Sequence, residues 1–156
     1  MKDFEKSRSR VVDPEVFLTA FEKYAGLSQP MPLVVTGSSM SPFLCAGRDR
    51  VFLSKPVSAP VKGDIVLYRR LNGEIWLHRV YDVKDGVYSL VGDRQIQIES
   101  GIPHENLLAV VTAVERKGKM LTPESALWRF FANKWLELIP KRPLILKIFR
   151  KLKGEL

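Results

Sequence analysis

The sequence predicts a mainly β domain of the α+β class, with one helix before the strands and a helical segment after them. Three observations predict it. Val, Ile, Tyr and Phe are frequent between residues 31 and 115, with Gly and Pro scattered singly, as turns require. Two strong hairpin dipeptides, Asn72-Gly73 and Asp85-Gly86, each sit between apolar runs. Outside that region the apolar residues recur at helical spacing instead. A chain of 156 residues has the length of one domain around a single core.

In chain order, Asp13-Pro14 opens a helix, with Asp13 as cap and Pro14 in the first turn. Phe17, Leu18, Phe21, Tyr24 and Ala25 share one side of it, and Gly26 is its stop. These residues belong to an N-terminal helical arm, 1–30. The β-domain follows over 31–122, with strands expected at Leu33–Val35, Arg50–Leu53, Asp64–Leu71, Glu74–Val83, Val87–Val91 and Leu107–Arg116. From Pro123 the pattern changes. Trp128, Phe131, Trp135 and Leu138 make one helical face, and Leu144, Ile145, Ile148, Phe149 and Leu152 make another beyond Pro140 and Pro143. Residues 123–156 therefore read as a basic amphipathic helical tail.

Charge is concentrated at the ends. Of the net +8, residues 124–156 hold eight Lys/Arg against three Glu, and residues 1–10 hold four against two acids. Aromatic residues interleaved with basic ones fit a helix lying in the interface of an anionic membrane. The same periodicity also fits a helix packed on the domain itself or on a partner. No run of 18 apolar residues occurs, so no ordinary membrane-spanning helix is expected. The start has no apolar core of signal-peptide length. The expectation is a cytoplasmic protein, peripheral at the inner membrane face through residues 124–156, with no nucleic-acid partner. Cys45 is the only cysteine, which excludes an internal disulfide. Two His and one Cys at unrelated spacings give no metal site, and no glycine loop cradles a phosphate, so neither metal nor cofactor is expected.

The stretch that can carry chemistry is Thr36-Gly37-Ser38-Ser39-Met40-Ser41-Pro42. A β-branched run enters it and Pro42 fixes its exit, so it reads as a tight loop at a strand end. Such a loop can hold a hydroxyl beside backbone N–H groups, as acyl transfer needs. Treating both hairpin dipeptides as two-residue loops places His78 opposite Leu67 on one side and opposite Asp93 on the other. A carboxylate beside an imidazole makes a base with an orienting partner. Histidine suits that task near neutral pH.

Five motifs occur in the order of a known family. They are Gly37-Ser38-Ser39-Met40-Ser41-Pro42, Gly47-Arg48-Asp49-Arg50-Val51, Lys62-Gly63-Asp64-Ile65-Val66, His78-Arg79-Val80 and Val91-Gly92-Asp93. The chain resembles the type I signal peptidase superfamily, which also contains self-cleaving repressors, over residues 31–115. Histidine in place of lysine at the base position resembles its Ser-His branch. The resemblance implies a signal-peptidase-like β catalytic core and a serine peptidase. Ser39 would be the nucleophile, His78 the base and Asp93 its assistant. Gly37, Ser38, Met40 and Pro42 would form the oxyanion and substrate-binding surroundings, with the Ser39 N–H facing the oxyanion. Gly63 and Asp64 would be structural support. The substrate implied is a leader or signal-like peptide cleaved after a small residue. The chain departs from the family in having no N-terminal membrane helix and in carrying Arg94-Gln95-Ile96 after Asp93.

Two other readings remain at this stage. One is self-cleavage, for which Ala25-Gly26 resembles the repressor site, although it lies only 13 residues before Ser39. The other is a non-catalytic peptide-binding module on the same fold.

Overall fold

The computed structural model describes residues 13–152. The basic cluster read in residues 1–10 and the last four positions of the tail lie outside the described residues. Helix α1 (Pro14–Gly26) starts as the sequence dictates: Asp13 Oδ1 accepts from the N–H groups of Glu15 and Val16, at 2.9 and 3.3 Å. Phe17 and Phe21, one turn apart, stack and bury against the domain.

Eight strands follow: β1 (Met31–Val34), β2 (Arg50–Ser54), β3 (Ile65–Arg69), β4 (Ile75–Lys84), β5 (Val87–Val91), β6 (Glu99–Pro103), β7 (Leu107–Arg116) and β8 (Lys119–Leu121). They form one antiparallel sheet in the order β1-β2-β7-β3-β4-β5-β6, with β8 paired to β7. Side chains alternate between its faces. Val51, Leu53, Ile65, Leu67, Ala109, Val111 and Val114 face α1 and the helices described below. Val66, Tyr68, Val80, Tyr88, Leu90 and Ile102 form a second cluster.

The two hairpins differ from each other. Asp85-Gly86 is a two-residue turn with φ of 51° and 74°, and Lys84 pairs with Val87 as the dipeptide predicts. The Asn72-Gly73 loop is one residue longer than expected. Gly73 N–H bonds to Arg70 O at 2.9 Å, and Arg69 pairs with Ile75. His78 is therefore opposite Val66, not Leu67. On its other side β4 bulges at Tyr81, so that Arg79 pairs with Val91. The first shift replaces Leu67 by Val66 opposite His78, and the second moves the register that was expected to bring His78 to Asp93.

The C-terminal region corrects the reading of a separate tail. Helix α2 (Ala126–Ala132) and the short α3 (Lys134–Glu137) bury Trp128, Phe131 and Trp135 in the main core, against Phe43. Gly63, at φ 97°, lets α2 close on the sheet; a Cβ there would stand 3.0 Å from Ala132 O. Helix α4 (Arg142–Leu152) begins with a fully buried Arg142. Beyond that residue Leu144, Ile148, Phe149 and Leu152 are exposed. No helix among the described residues is long and apolar enough to cross a membrane.

Candidate active site

Ser39 lies on the loop after β1 and lines a cleft of about 560 Å³ with Gly37, Ser38, Met40 and Trp76. Gly37 takes a φ of 72°, which turns the chain out of the strand. Met40 is buried in the core and pins the loop from below. Pro42 does not line the cleft. It anchors the loop instead: Arg116 Nη2 donates to Pro42 O and Arg116 Nε to Phe43 O, at 3.3 and 2.7 Å. Asp49 secures the far end of the loop, accepting from Cys45 N–H and Lys117 N–H. Among the described residues the Ser39 backbone N–H makes no hydrogen bond, so a free donor stands beside the hydroxyl.

The turn after β5 holds Ser39 in place. Arg94 N–H donates to Ser39 O at 2.9 Å. Gly92 lies so close that a Cβ there would be 2.6 Å from Ser39 O. Arg142 braces this turn from behind, its Nη1 donating to Gly92 O at 3.0 Å and to Gln95 O at 2.7 Å. Burial pushes the Arg142 pKa down to about 10, which leaves it charged at neutral pH. Sequence reading missed Arg142, which looked like one more surface charge of the tail. Gly92→Ala is expected to displace Ser39 and to abolish any Ser39 chemistry while leaving a folded sheet. Circular dichroism together with a peptide-cleavage assay checks this.

His78 is on β4, one residue along from Leu77. Leu77 lines the Ser39 cleft, and His78 points to the other side of the strand with Val66, Tyr68 and Val80. Only 1% of His78 is exposed. The β4–β5 ladder ends at Arg79–Val91, and the turn that begins at Gly92 packs on the Ser39 carbonyl. No hydrogen bond joins Ser39 to His78 among the described residues. Trp76 stands between the two regions. Its ring lines the cleft, and its centroid is 5.5 Å from that of the imidazole.

The partner of His78 is not Asp93. Arg79 Nε and Nη2 donate to Asp93 Oδ1 and Oδ2, both at 2.8 Å, and Arg79 Nη1 donates to Gly63 O. Both side chains of this pair are fully buried. The expected His78–Asp93 pair is absent because the bulge at Tyr81 gives Arg79, rather than His78, the reach to Asp93. Asp64 and Gly63 complete the same corner: Asp64 Oδ2 accepts from Val61 N–H, and Gly63 N–H bonds to Val80 O.

What meets His78 is Tyr68. The Tyr68 hydroxyl is 3.0 Å from His78 Nδ1 and donates to Glu99 Oε2 at 3.3 Å. Glu99 Oε2 also lies 2.8 Å from Arg70 Nε, a contact of opposite charges without hydrogen-bond alignment. A carboxylate can only accept, so a tyrosine proton directed to Glu99 assigns the Nδ1–H tautomer to His78, with Nδ1–H donating to the tyrosine oxygen. Burial pushes the Tyr68 pKa upward, which keeps that proton on. The tautomer leaves His78 Nε2 as a bare lone pair, buried and without a partner. An unpaired buried nitrogen costs about 1–3 kcal/mol. Burial, assisted by the charge of Arg70, pushes the imidazole pKa down to about 3. His78 is therefore neutral at pH 7.

Sequence reasoning did not find Tyr68 or Glu99. Tyr68 was within reach of it, since it shares a face with His78 two residues from the opposed Val66. Glu99 opens β6, whose Glu-Ser-Gly start carries no strand signal. Among the described residues no group of His, Cys, Asp and Glu could hold a metal ion. No protein-family model, no curated protein and no solved structure matches this chain.

Proposed function

We propose that this chain is a serine endopeptidase of signal-peptidase type, with Ser39 as nucleophile and His78 as general base. The observation that carries the reading is the state of His78. It is neutral and buried, one nitrogen is held by Tyr68 and through it by Glu99, and the other has no partner. In the reaction, Nε2 takes the Ser39 proton as Oγ attacks the scissile carbonyl. The Ser39 N–H receives the oxyanion. Tyr68 and Glu99 hold the tautomer and stabilise the imidazolium, the task the sequence assigned to Asp93. On this proposal peptide binding must bring Oγ and Nε2 to hydrogen-bond distance, since His78 faces away from the cleft in the free chain. The five motifs of the sequence supply the family, and a small residue before the scissile bond is the specificity they imply.

Self-cleavage at Ala25-Gly26 has less support. Those residues end α1, which Phe17 and Phe21 tie to the core, so they would have to unwind to enter the cleft. The test is cleavage of a mixed peptide library by the full chain, with products sequenced by mass spectrometry. Cuts after small residues that vanish in Ser39→Ala are expected. An uncut library, or cuts that persist in Ser39→Ala, would refute the reading.

Membrane contact, on this proposal, belongs to α4 alone. Leu144, Ile148 and Leu152 recur every fourth residue and are 62%, 48% and 78% exposed, with Lys141 and Lys151 beside them. Insertion of that face and attraction to anionic lipid add, at about 1 kcal/mol per basic residue. The full chain is expected to co-sediment with phosphatidylglycerol vesicles, less so at high salt. Leu144→Ser, Ile148→Ser and Leu152→Ser together should leave it in the supernatant.

A further inference from the structure

A second and larger concavity, of about 1100 Å³, opens between α4 and the 94–99 segment. It adjoins the Ser39 cleft: Arg94 and Gln95 line both. Its walls carry Arg70, Arg94, Lys147 and Arg150, and its one acidic side chain is Glu99. Glu99 is already committed to Tyr68 and Arg70. Arg94, Lys147 and Arg150 make no ion pair among the described residues, and the Arg94 guanidinium donates to the Ser41 hydroxyl, at 3.2 Å. Pro143, Leu146, Lys147 and Arg150 recur at three and four residues. They occupy one side of α4, distinct from the side of Leu144, Ile148 and Leu152. The basic groove and the exposed apolar face are thus two surfaces of one helix.

We propose that this groove binds an acidic stretch of the peptide substrate, close in sequence to the scissile bond. The proposal rests on the peptidase reading, because it makes the groove an extension of the Ser39 cleft. A chain lying across Ser39 and continuing past Arg94 and Gln95 enters a trough with an excess of cations and no carboxylate left to repel it. Asp or Glu side chains there would meet Arg94, Lys147 and Arg150. Such contacts add selectivity and speed of encounter more than raw affinity, and salt weakens them. This gives the substrate a chemical class that a small residue at the cut cannot supply by itself.

The test uses the full chain carrying Ser39→Ala, so that binding is read without cleavage. Two labelled peptides share an Ala-containing core and differ in one flank, three Glu in one and three Gln in the other. Fluorescence anisotropy should show the acidic peptide binding about tenfold more tightly at low salt, a difference of ~1.4 kcal/mol. The preference should shrink at high salt and disappear in Lys147→Glu with Arg150→Glu. Equal affinity for the two peptides, binding of neither, or a preference that survives the double charge reversal would overturn the groove assignment. If the reversal removes only vesicle binding, the cations serve lipid and the assignment also falls. The wild-type chain separates the two ideas. Tight binding of the acidic peptide with no hydrolysis refutes the peptidase and keeps the groove. Cleavage of both peptides with equal kcat/KM keeps the peptidase and refutes the groove.

Discussion

Ser39→Ala and His78→Ala are each expected to lower peptide cleavage on the order of ten-thousandfold, and the double variant should be little worse than either single one. A nucleophile and its base act as one unit, so removing the second costs almost nothing once the first is gone. Tyr68→Phe and Glu99→Gln should lose less, and the loss should fall on kcat rather than KM, because these residues set the imidazole tautomer without touching the peptide. The pH profile carries the sign of the His78 environment. The base works only when unprotonated, and its pKa is pushed down to about 3 rather than lying at the ordinary 6.5. The acid limb of kcat/KM should therefore fall well below pH 6.5, and the rate at pH 5 should be close to that at pH 7. A limb centred at 6.5 would mean that the buried His78 is not the working base.

Asp93→Asn is expected to act on stability, not on the base. It leaves Arg79 fully buried with its charge uncompensated, a change that costs about 3–5 kcal/mol. For a domain of this size the thermal midpoint should fall by roughly 10 °C. Arg79→Met together with Asp93→Leu should recover much of that loss, since apolar residues of similar volume replace a buried ion pair at little cost. Glu99→Gln should leave the midpoint nearly unchanged while lowering kcat. The reverse pattern, with Asp93→Asn stable and slow and Glu99→Gln unfolded, would return the orienting task to Asp93.

The contrast between these two carboxylates shows what the chain makes legible. The strand density, the helix cap at Asp13 and the Asp85-Gly86 turn are local, and local chemistry settles them. The identity of the histidine's partner depends on register, and register failed at two points that leave no mark in the sequence. At the first, the Asn72 side chain accepts from Glu74 N–H at 3.0 Å and helps close a three-residue loop instead of a two-residue one. At the second, Tyr81 bulges out of β4. One residue of slip exchanges the faces of a strand, so the bulge at Tyr81 moved Asp93 from His78 to Arg79. The placement of the C-terminal helices stayed open for a different reason. Helical periodicity shows that Trp128, Phe131 and Trp135 share a face, but not whether that face meets lipid or the domain. Here it meets Phe43 and the core, so a chain ending near Pro123 would lose three core aromatics and the Arg142 brace. Such a chain should unfold rather than remain a soluble catalytic domain.

Covalent labelling of Ser39 tests the central claim most directly. The full chain is treated with a serine-directed fluorophosphonate at pH 7 and digested, and the modified residue is located by mass spectrometry. A peptidase built on Ser39 and a neutral His78 should take up one adduct, on Ser39. Labelling should be lost in His78→Ala and slowed in Tyr68→Phe. Ser39 left unmodified, or modified equally fast without His78, would contradict the account.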